Sequence, residues 1–334
     1  MDRRTLLRSA AAAALVPAAW TAATGCGVTR QSGTGSSGPL TGLRMIVGNG
    51  PGSGYDITAR TVGKALTESE AARGLEVMNI SGAGGTIGLS RLVNARGNGR
   101  LLMMMGLGVV GAVFTNRSEV GLADTTPLAR LIEDPSAVVV PRDSRLESLD
   151  DFLRAWRRDP GGLSVGGGSS PGGPDHLLPM QIAEAAGIDP TRTRYIGYDG
   201  GGELLTALLG SKIDVAATGI GEMADQIATG DVRVLATTGP TTVAGVDAPT
   251  LAEAGTPVSA VNWRGVVAAP GLPDRRRERL VEALRTLRGS AGWKDAVRRN
   301  GWSDAFLDGE AFEDFLADQN TRVARTLKRL GLAR

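Results

Sequence analysis

The chain is predicted to be an α/β protein with mostly parallel sheets. Three observations carry this. Apolar runs of strand length alternate with amphipathic stretches of helical length through most of the 334 residues. Glycine, at 48 residues, is about twice its average usage and gathers between those runs and the helices that follow. Apolar residues make up 42 % and charged residues 22 %, a composition that packs a sizeable core and is not that of a disordered chain.

Arg44–Gly48 is a short apolar strand, and Tyr55–Glu70 follows as a helix with Ile57, Val62, Ala65 and Leu66 on its apolar face. Leu75–Ile80 reads as a strand, Thr86–Val93 as a short helix, and Leu101–Met105 as a strongly apolar strand. Ala129–Ile132 and Ala137–Val140 are further strands. Ser148–Arg158 is a helix: Ser148 is a good N-cap, and Leu149, Phe152, Leu153 and Trp156 share one face. Then come strand Leu163–Val165, helix Asp175–Ala186, strand Arg194–Tyr198 and helix Gly202–Leu209. Strand Ile213–Ala217, helix Glu222–Ala228 and strand Val232–Thr237 complete the alternation. After strand Gly265–Ala268 the pattern turns helical, with Pro273–Arg288, Ala291–Arg299 and Glu310–Leu330. In the last, Phe312, Phe315, Leu316, Gln319, Val323, Leu327 and Leu330 trace a stripe that reads as core packing. No internal repeat is visible, and the length and strand count imply two domains without a clean linker.

Residues 1–25 read as an export signal. Arg3, Arg4 and Arg8 precede the apolar stretch Ala10–Ala19, which is too short to span a bilayer. Arg3-Arg4 followed by Thr5-Leu6-Leu7-Arg8 is similar to a twin-arginine signal. Ala23-Thr24-Gly25-Cys26 resembles a lipoprotein processing box, and the only Cys of the chain falls at its attachment position. Residues 26–42 read as a flexible Gly/Ser/Thr tether. Cleavage before Cys26 would remove three arginines and one aspartate, so the formal charge of +2 would fall to zero.

One Cys excludes a disulfide framework and a Cys-based zinc site, and one His excludes a two-His metal site. The run Arg275-Arg276-Arg277-Glu278-Arg279 has the look of a nucleic-acid patch, but the chain holds 33 Arg and 4 Lys and the mature charge is neutral. It reads as a solvated helix face, and no nucleic-acid partner is expected.

Half of the glycines, 24 of 48, fall in the six windows 48–54, 82–88, 106–111, 161–173, 197–202 and 219–221. Most lie between a strand and the next helix, where the open edge of a parallel sheet binds ligands. Glycine there lets the backbone approach a ligand, and the free N–H groups of the helix start suit an anion. Gly106-Leu107-Gly108-Val109-Val110-Gly111 also fits the dinucleotide pattern, with Glu133 where a ribose-binding acid would sit. It is not the first βα turn, however, and Gly111–Thr126 is a poor crossover helix, so no cofactor is expected. His176 reads as a ligand contact or a helix-start residue, with no nucleophile–base pair around it. Asp56 reads as a helix-start acid.

Six motifs in order then resemble one family. Gly48–Arg60, with its glycines, Asp56 and Ala59-Arg60, opens the series; Asn79-Ile80-Ser81-Gly82-Ala83-Gly84-Gly85-Thr86-Ile87-Gly88 and Gly168-Ser169-Ser170-Pro171-Gly172-Gly173-Pro174-Asp175-His176-Leu177 follow. Leu208–Asp214, Ala248–Gly255 and Trp263-Arg264-Gly265 with Pro270-Gly271-Leu272-Pro273 continue it. Together they resemble the tripartite tricarboxylate transporter receptors, or Bug-type solute-binding proteins, over nearly all of 44–330. The resemblance implies a two-lobed periplasmic-binding-protein-like fold of type II with a ligand cleft between the lobes. It implies a discontinuous first lobe, 43–137 plus 264–334, with 138–263 as the second.

The same resemblance implies an extracytoplasmic, monomeric receptor without cofactor or enzyme activity, which delivers a small carboxylate to a two-component membrane permease. Matched positions make Ser53, Gly54, Tyr55, Gly84, Gly85 and Thr86 one half of the site. Ser169, Ser170, Gly172 and Gly173 make the other, with Tyr198 and Gly200–Gly202, Gly201 among them, beside it. Two positions depart from the family pattern. Its Arg-Pro is Ile80-Ser81 here, and its acidic residue after the Val-Asp strand is absent from Thr218-Gly219-Ile220-Gly221. Two other readings stand beside the receptor: an exported cofactor-binding enzyme, and a ligand-sensing module for a signalling partner.

Overall fold

Two mixed sheets organise the structure, a computed structural model that describes residues 38–239, 241–256, 258 and 262–333. The predicted signal, Cys26 and residues 26–37 of the predicted tether lie outside the described residues. β1 (Leu40–Val47) begins inside the segment read as tether, because Leu40 is buried and pairs with Ala72. α1 (Gly54–Glu68), β2 (Ala72–Asn79), α2 (Thr86–Asn94) and β3 (Leu101–Gly106) follow as expected. α3 (Leu107–Thr115) is a helix that the sequence pattern does not announce. β4 (Thr126–Asp134) and β5 (Ser136–Pro141) come next, separated only by Pro135.

α4 (Leu149–Arg158) is capped as its sequence predicts: the Ser148 hydroxyl accepts from Asp151 N, and Asp151 in turn accepts from Ser148 N. β6 (Ser164–Gly167), α5 (Pro174–Ala185), β7 (Arg194–Gly197), α6 (Gly201–Leu209), β8 (Val215–Gly219), α7 (Ala224–Thr229) and β9 (Val232–Thr237) continue the alternation. β10 (Asn262–Ala268), α8 (Asp274–Gly289), α9 (Ala291–Arg299), β11 (Ser303–Asp308) and α10 (Gly309–Arg329) end it.

The first sheet has the order β11-β4-β10-β3-β1-β2, and the second β7-β6-β8-β5-β9. Four pairings are parallel and five antiparallel, so the expectation of mostly parallel sheets is corrected to mixed ones. The connectivity explains four of the five antiparallel pairings, all but that of β11 with β4. β5 enters the second sheet directly from β4, and β10 enters the first after β9. A chain that leaves one sheet at its carboxyl edge and enters the next at the matching edge must run backwards there. The crossings are stitched together: Ser136 N donates to Thr238 Oγ1, Thr238 N to Ser136 O, and Ile220 N to Pro135 O.

Helices cover the sheets. The first sheet shares one buried core with α1, α2, α3, α8 and α10, including Met45, Met103, Met104, Leu66 and Leu284. In α10 the predicted stripe does pack inward: Phe312, Leu316, Val323 and Leu327 are buried, and Trp263 meets Phe312 and Phe315 edge-on. The second sheet carries a core on each face, one around Phe152, Trp156 and Ile182, the other around Leu204, Leu208 and Ile213.

Candidate functional site

The glycine-rich turns after β1, β2, β3 and β6 meet in a narrow cleft between the two sheets, with a free volume of only about 30 Å³. On the first sheet's side, Ser53 caps α1 by accepting from Asp56 N at 3.3 Å. Asp56 itself ties the turn together. It accepts from Gly52 N at 3.0 Å, Arg60 Nε at 2.9 Å and Asn79 Nδ2 at 3.0 Å. Burial pushes its pKa up, but these donors outweigh burial and hold the carboxyl below its usual range. Asp56 is thus a structural acid at the helix start, as the sequence suggested.

The next turn carries Ala83, Gly84 and Gly85 at φ of 47°, 62° and 95°, a run of left-handed residues in which two glycines keep the strain low. Gly84 sits where a Cβ would lie 2.6 Å from Ala112 Cβ and 3.5 Å from Ser170 Cβ, so the turn touches the opposite side of the cleft. At α3, the Tyr55 hydroxyl accepts from Gly108 N at 3.0 Å and from Val109 N. Burial pushes the Tyr55 pKa up to about 12.

On the second sheet's side, Ser169 is fixed through both main chain and side chain. Its carbonyl accepts from Tyr195 Oη at 2.7 Å, and its Oγ accepts from Asp175 N at 3.1 Å. His176 Nδ1 accepts from Gly172 N at 3.1 Å, and its ring lies 4.4 Å from that of Tyr195. Burial pushes the imidazole pKa down to about 4. The unfolded chain would take its proton near 6.5, the folded chain only near 4. The stability is therefore full above pH 6.5 and declines as pH falls from 6.5 toward 4. Replacing His176 with Gln is expected to flatten that limb of the curve, which urea melts at a series of pH values would read.

The two sides touch directly. Asn49 Nδ2 donates to Asp199 Oδ1 at 3.1 Å, and a Cβ on Gly200 would lie 2.8 Å from Ser53 Cβ. Gly111 in α3 faces Gly172 so closely that a Cβ there would lie 2.0 Å from the Gly172 carbonyl oxygen.

A buried ion network floors the cleft. Arg264, on β10, is 1 % exposed. Its Nη2 donates to Asp134 Oδ2 and, at 3.4 Å, to Glu222 Oε1; its Nη1 donates to Thr58 Oγ1 at 2.9 Å. The guanidinium also lies 5.9 Å from the Trp302 ring. Burial raises Asp134 against the pull of Arg264. Burial also raises Glu222 to about 7, with the Arg264 charge and the Gly54 and Gly201 amides pulling the other way. Asp175 is raised by burial and then by the Glu222 charge. Among the described residues no group of three or more His, Cys, Asp or Glu side chains is placed to hold a metal ion.

Of the twelve expected ligand residues, Ser53, Gly54, Tyr55, Gly84, Ser169 and Ser170 line the cleft. Gly85, Thr86, Gly172, Gly173, Tyr198 and Gly201 are not among its lining residues. Thr86 bonds Ala83 O at 3.0 Å, Gly173 packs on Ser169, Gly201 faces Glu222, and Tyr198 joins the hydrophobic core beneath α6. Cys26 lies outside the described residues. The cleft also takes side chains that sequence reasoning passed over: Asn49, Asp175, Glu222, Asn262 and Arg264. Arg264 had a visible signal, a charge inside the apolar run Trp263–Ala268. The turn after β8, where Thr218–Gly221 carries no acid, supplies one a residue later in Glu222.

The dinucleotide-like glycines have other duties. The α3 amides that would meet a pyrophosphate already serve Tyr55 Oη, and Gly106 and Gly111 are required by close packing on Tyr55 and on the Gly172 carbonyl.

Two mixed sheets covered by helices, crossed twice by the chain and meeting at a polar cleft, define a two-lobed fold of the periplasmic-binding-protein type. The model of the tripartite tricarboxylate transporter family receptor matches residues 58–332, and the chain belongs to that family. Three solved structures show the same fold. The periplasmic binding protein BugD is 21 % identical, with a TM-score of 0.80 over 88 % of this chain and 99 % of its own. Rpa4515 of R. palustris, solved with adipate, is 21 % identical with a TM-score of 0.80 over the same shares. MatC of Rhodopseudomonas palustris, with bound malate, is 20 % identical, with a TM-score of 0.74 over 86 % of this chain and 99 % of its own.

Proposed function

We propose that this chain is an extracytoplasmic receptor that closes over a small carboxylate and delivers it to a two-component membrane permease. The supporting observation is the meeting, in one cleft, of glycine-rich helix starts from both sheets with the hydroxyls of Ser53, Ser169 and Ser170. Such amides and hydroxyls suit an anion. The relatives solved with malate and adipate point to the same ligand class. The lobes are the one that holds β1–β4 and β10–α10 and the one that holds β5–β9, so the expected bounds at 43, 138 and 264 each move two or three residues earlier; they hinge at the two chain crossings, and the chain binds its ligand unchanged. Gly85, Thr86, Gly172, Gly173, Tyr198 and Gly201 shape the backbone around the ligand. Residues 1–25 direct export through the arginine pair, and a lipid on Cys26 tethers the receptor to the outer face of the membrane. Among the described residues no helix is long and apolar enough to cross a membrane.

Thermal melts of the purified protein with succinate, malate, adipate and citrate test this. A ligand of the folded state raises the melting temperature, by an amount that grows with its concentration over Kd. At least one carboxylate is expected to do so at millimolar concentration. No shift with any of them would overturn the reading. Uptake assays with the permease present separate delivery from sensing.

A further inference from the structure

The cleft holds more hydrogen-bond acceptors than it has donors to match. Arg264 is its one basic side chain among the described lining residues; Asp134, Glu222 and Thr58 already occupy both of its terminal nitrogens, and only its Nε is a buried donor left without a partner, against three such acceptors in the lining. Asp175 Oδ1, Glu222 Oε2 and Asn262 Oδ1 are buried without a formed hydrogen bond, although the Gly54 and Gly201 amides lie near the Glu222 carboxyl and the Ser169 hydroxyl near that of Asp175. Asp175 and Asn262 are 3 % and 4 % exposed, and the Glu222 side chain 8 %. All three residues line the same cleft. Buried acceptors left without donors are costly, and a solute made only of carboxylates brings more acceptors. It would also set a new negative charge beside two buried acids whose nearest cation is already shared.

We propose that the solute carries a protonated primary amine beside its carboxylate. Asp175, Glu222 and Asn262 take the three ammonium hydrogens, and the Ser169 and Ser170 hydroxyls with the neighbouring amides take the carboxylate. This rests on the carboxylate-receptor reading above and narrows it. A metal ion fits the acids poorly, since no cluster of three metal-binding side chains exists among the described residues. A quaternary ammonium fits poorly too. It offers no N–H, and the described lining residues include one aromatic, Tyr55, where such ligands call for an aromatic cage.

Isothermal titration of the purified full chain with matched pairs decides it: L-aspartate against succinate, L-glutamate against glutarate, and γ-aminobutyrate against butyrate. In at least one pair the amine-bearing member is expected to bind about tenfold tighter or more, as sites built around buried polar groups discriminate. Glu222→Gln and Asp175→Asn are expected to shrink that ratio toward one, chiefly by weakening the amine-bearing member. Equal or tighter binding of the amine-free member in every pair overturns the proposal and leaves the carboxylate reading standing. Binding of neither member of any pair overturns the proposal, and the melts with malate, adipate and citrate then decide the carboxylate reading by themselves. If either variant fails to fold, as its melting curve would show, the wild-type ratios alone decide between these outcomes.

Discussion

Arg264→Met is expected to lower the unfolding free energy by about 3–5 kcal/mol, the range for removing one partner of a buried ion pair. The Arg264 side chain is 2 % exposed and that of Asp134 is fully buried. Without the guanidinium, Asp134 loses its charge partner, Glu222 loses its bond to Nη2, and Thr58 Oγ1 loses a donor. Burial already raises the Asp134 pKa, so the orphaned carboxyl would take up a proton sooner than stay charged. Urea denaturation at neutral pH measures the loss. The double variant Arg264→Met/Asp134→Leu is expected to regain part of it, because it removes the orphaned Asp134 while Glu222 and Thr58 still lack their donor. A loss below about 1 kcal/mol in the single variant, the size of a surface pair, would contradict the buried network.

Gly111→Ala is expected to weaken solute binding by roughly 5- to 140-fold, from the 1–3 kcal/mol typical of overpacking. Its Cβ would fall 2.0 Å from the Gly172 carbonyl oxygen, and backbone cannot rotate aside as a side chain can. The contact joins α3, over the first sheet, to the turn after β6 in the second. Relief requires the two sides to part, which is the opposite of closing on a ligand. Within α3 itself alanine is the better helix former, by about 1 kcal/mol. The melting temperature without ligand is therefore expected to hold while affinity falls, and that split identifies a closure contact. Gly289→Ala, at the end of α8 with open space around it, serves as the control. Calorimetric affinities for the three proteins carry the comparison.

Much of the fold was legible because most elements are amphipathic or apolar in register with their period. Two were not. α3 reads Leu107-Gly108-Val109-Val110-Gly111-Ala112, apolar on every side and broken by glycines, because it lies between the first sheet, α10 and the turn before α2 and has little solvent face. β11, Ser303–Asp308, is a polar edge strand whose register on β4 shifts between Asp304 and Leu307, so no alternation marks it. The reversed strands were hidden for another reason: a strand's direction follows from where the chain crossed, which local pattern does not carry.

The site divided in the same way. Its backbone half was legible, since turns such as Gly48–Gly54 and Gly168–Gly173 announce themselves in glycine and serine. Its charged half was not. Arg264, Asp134, Asp175 and Glu222 come from four separate elements or turns, and only the folded chain brings them together.

The glycines at the cleft limit how such a receptor can change its ligand. A side chain at 54 would run into Arg264 and Glu222, at 111 into the Gly172 carbonyl, and at 200 into Ser53. Selection acting on those codons meets a wall, whatever solute is on offer. New preferences must arise at cleft positions that already bear side chains, Asn49, Ser170, Asp175, Glu222 and Asn262 among them. A lineage of such receptors would then diversify by recolouring a few side chains over an inherited main-chain mould, and laboratory evolution of this one is best confined to a library at those five positions.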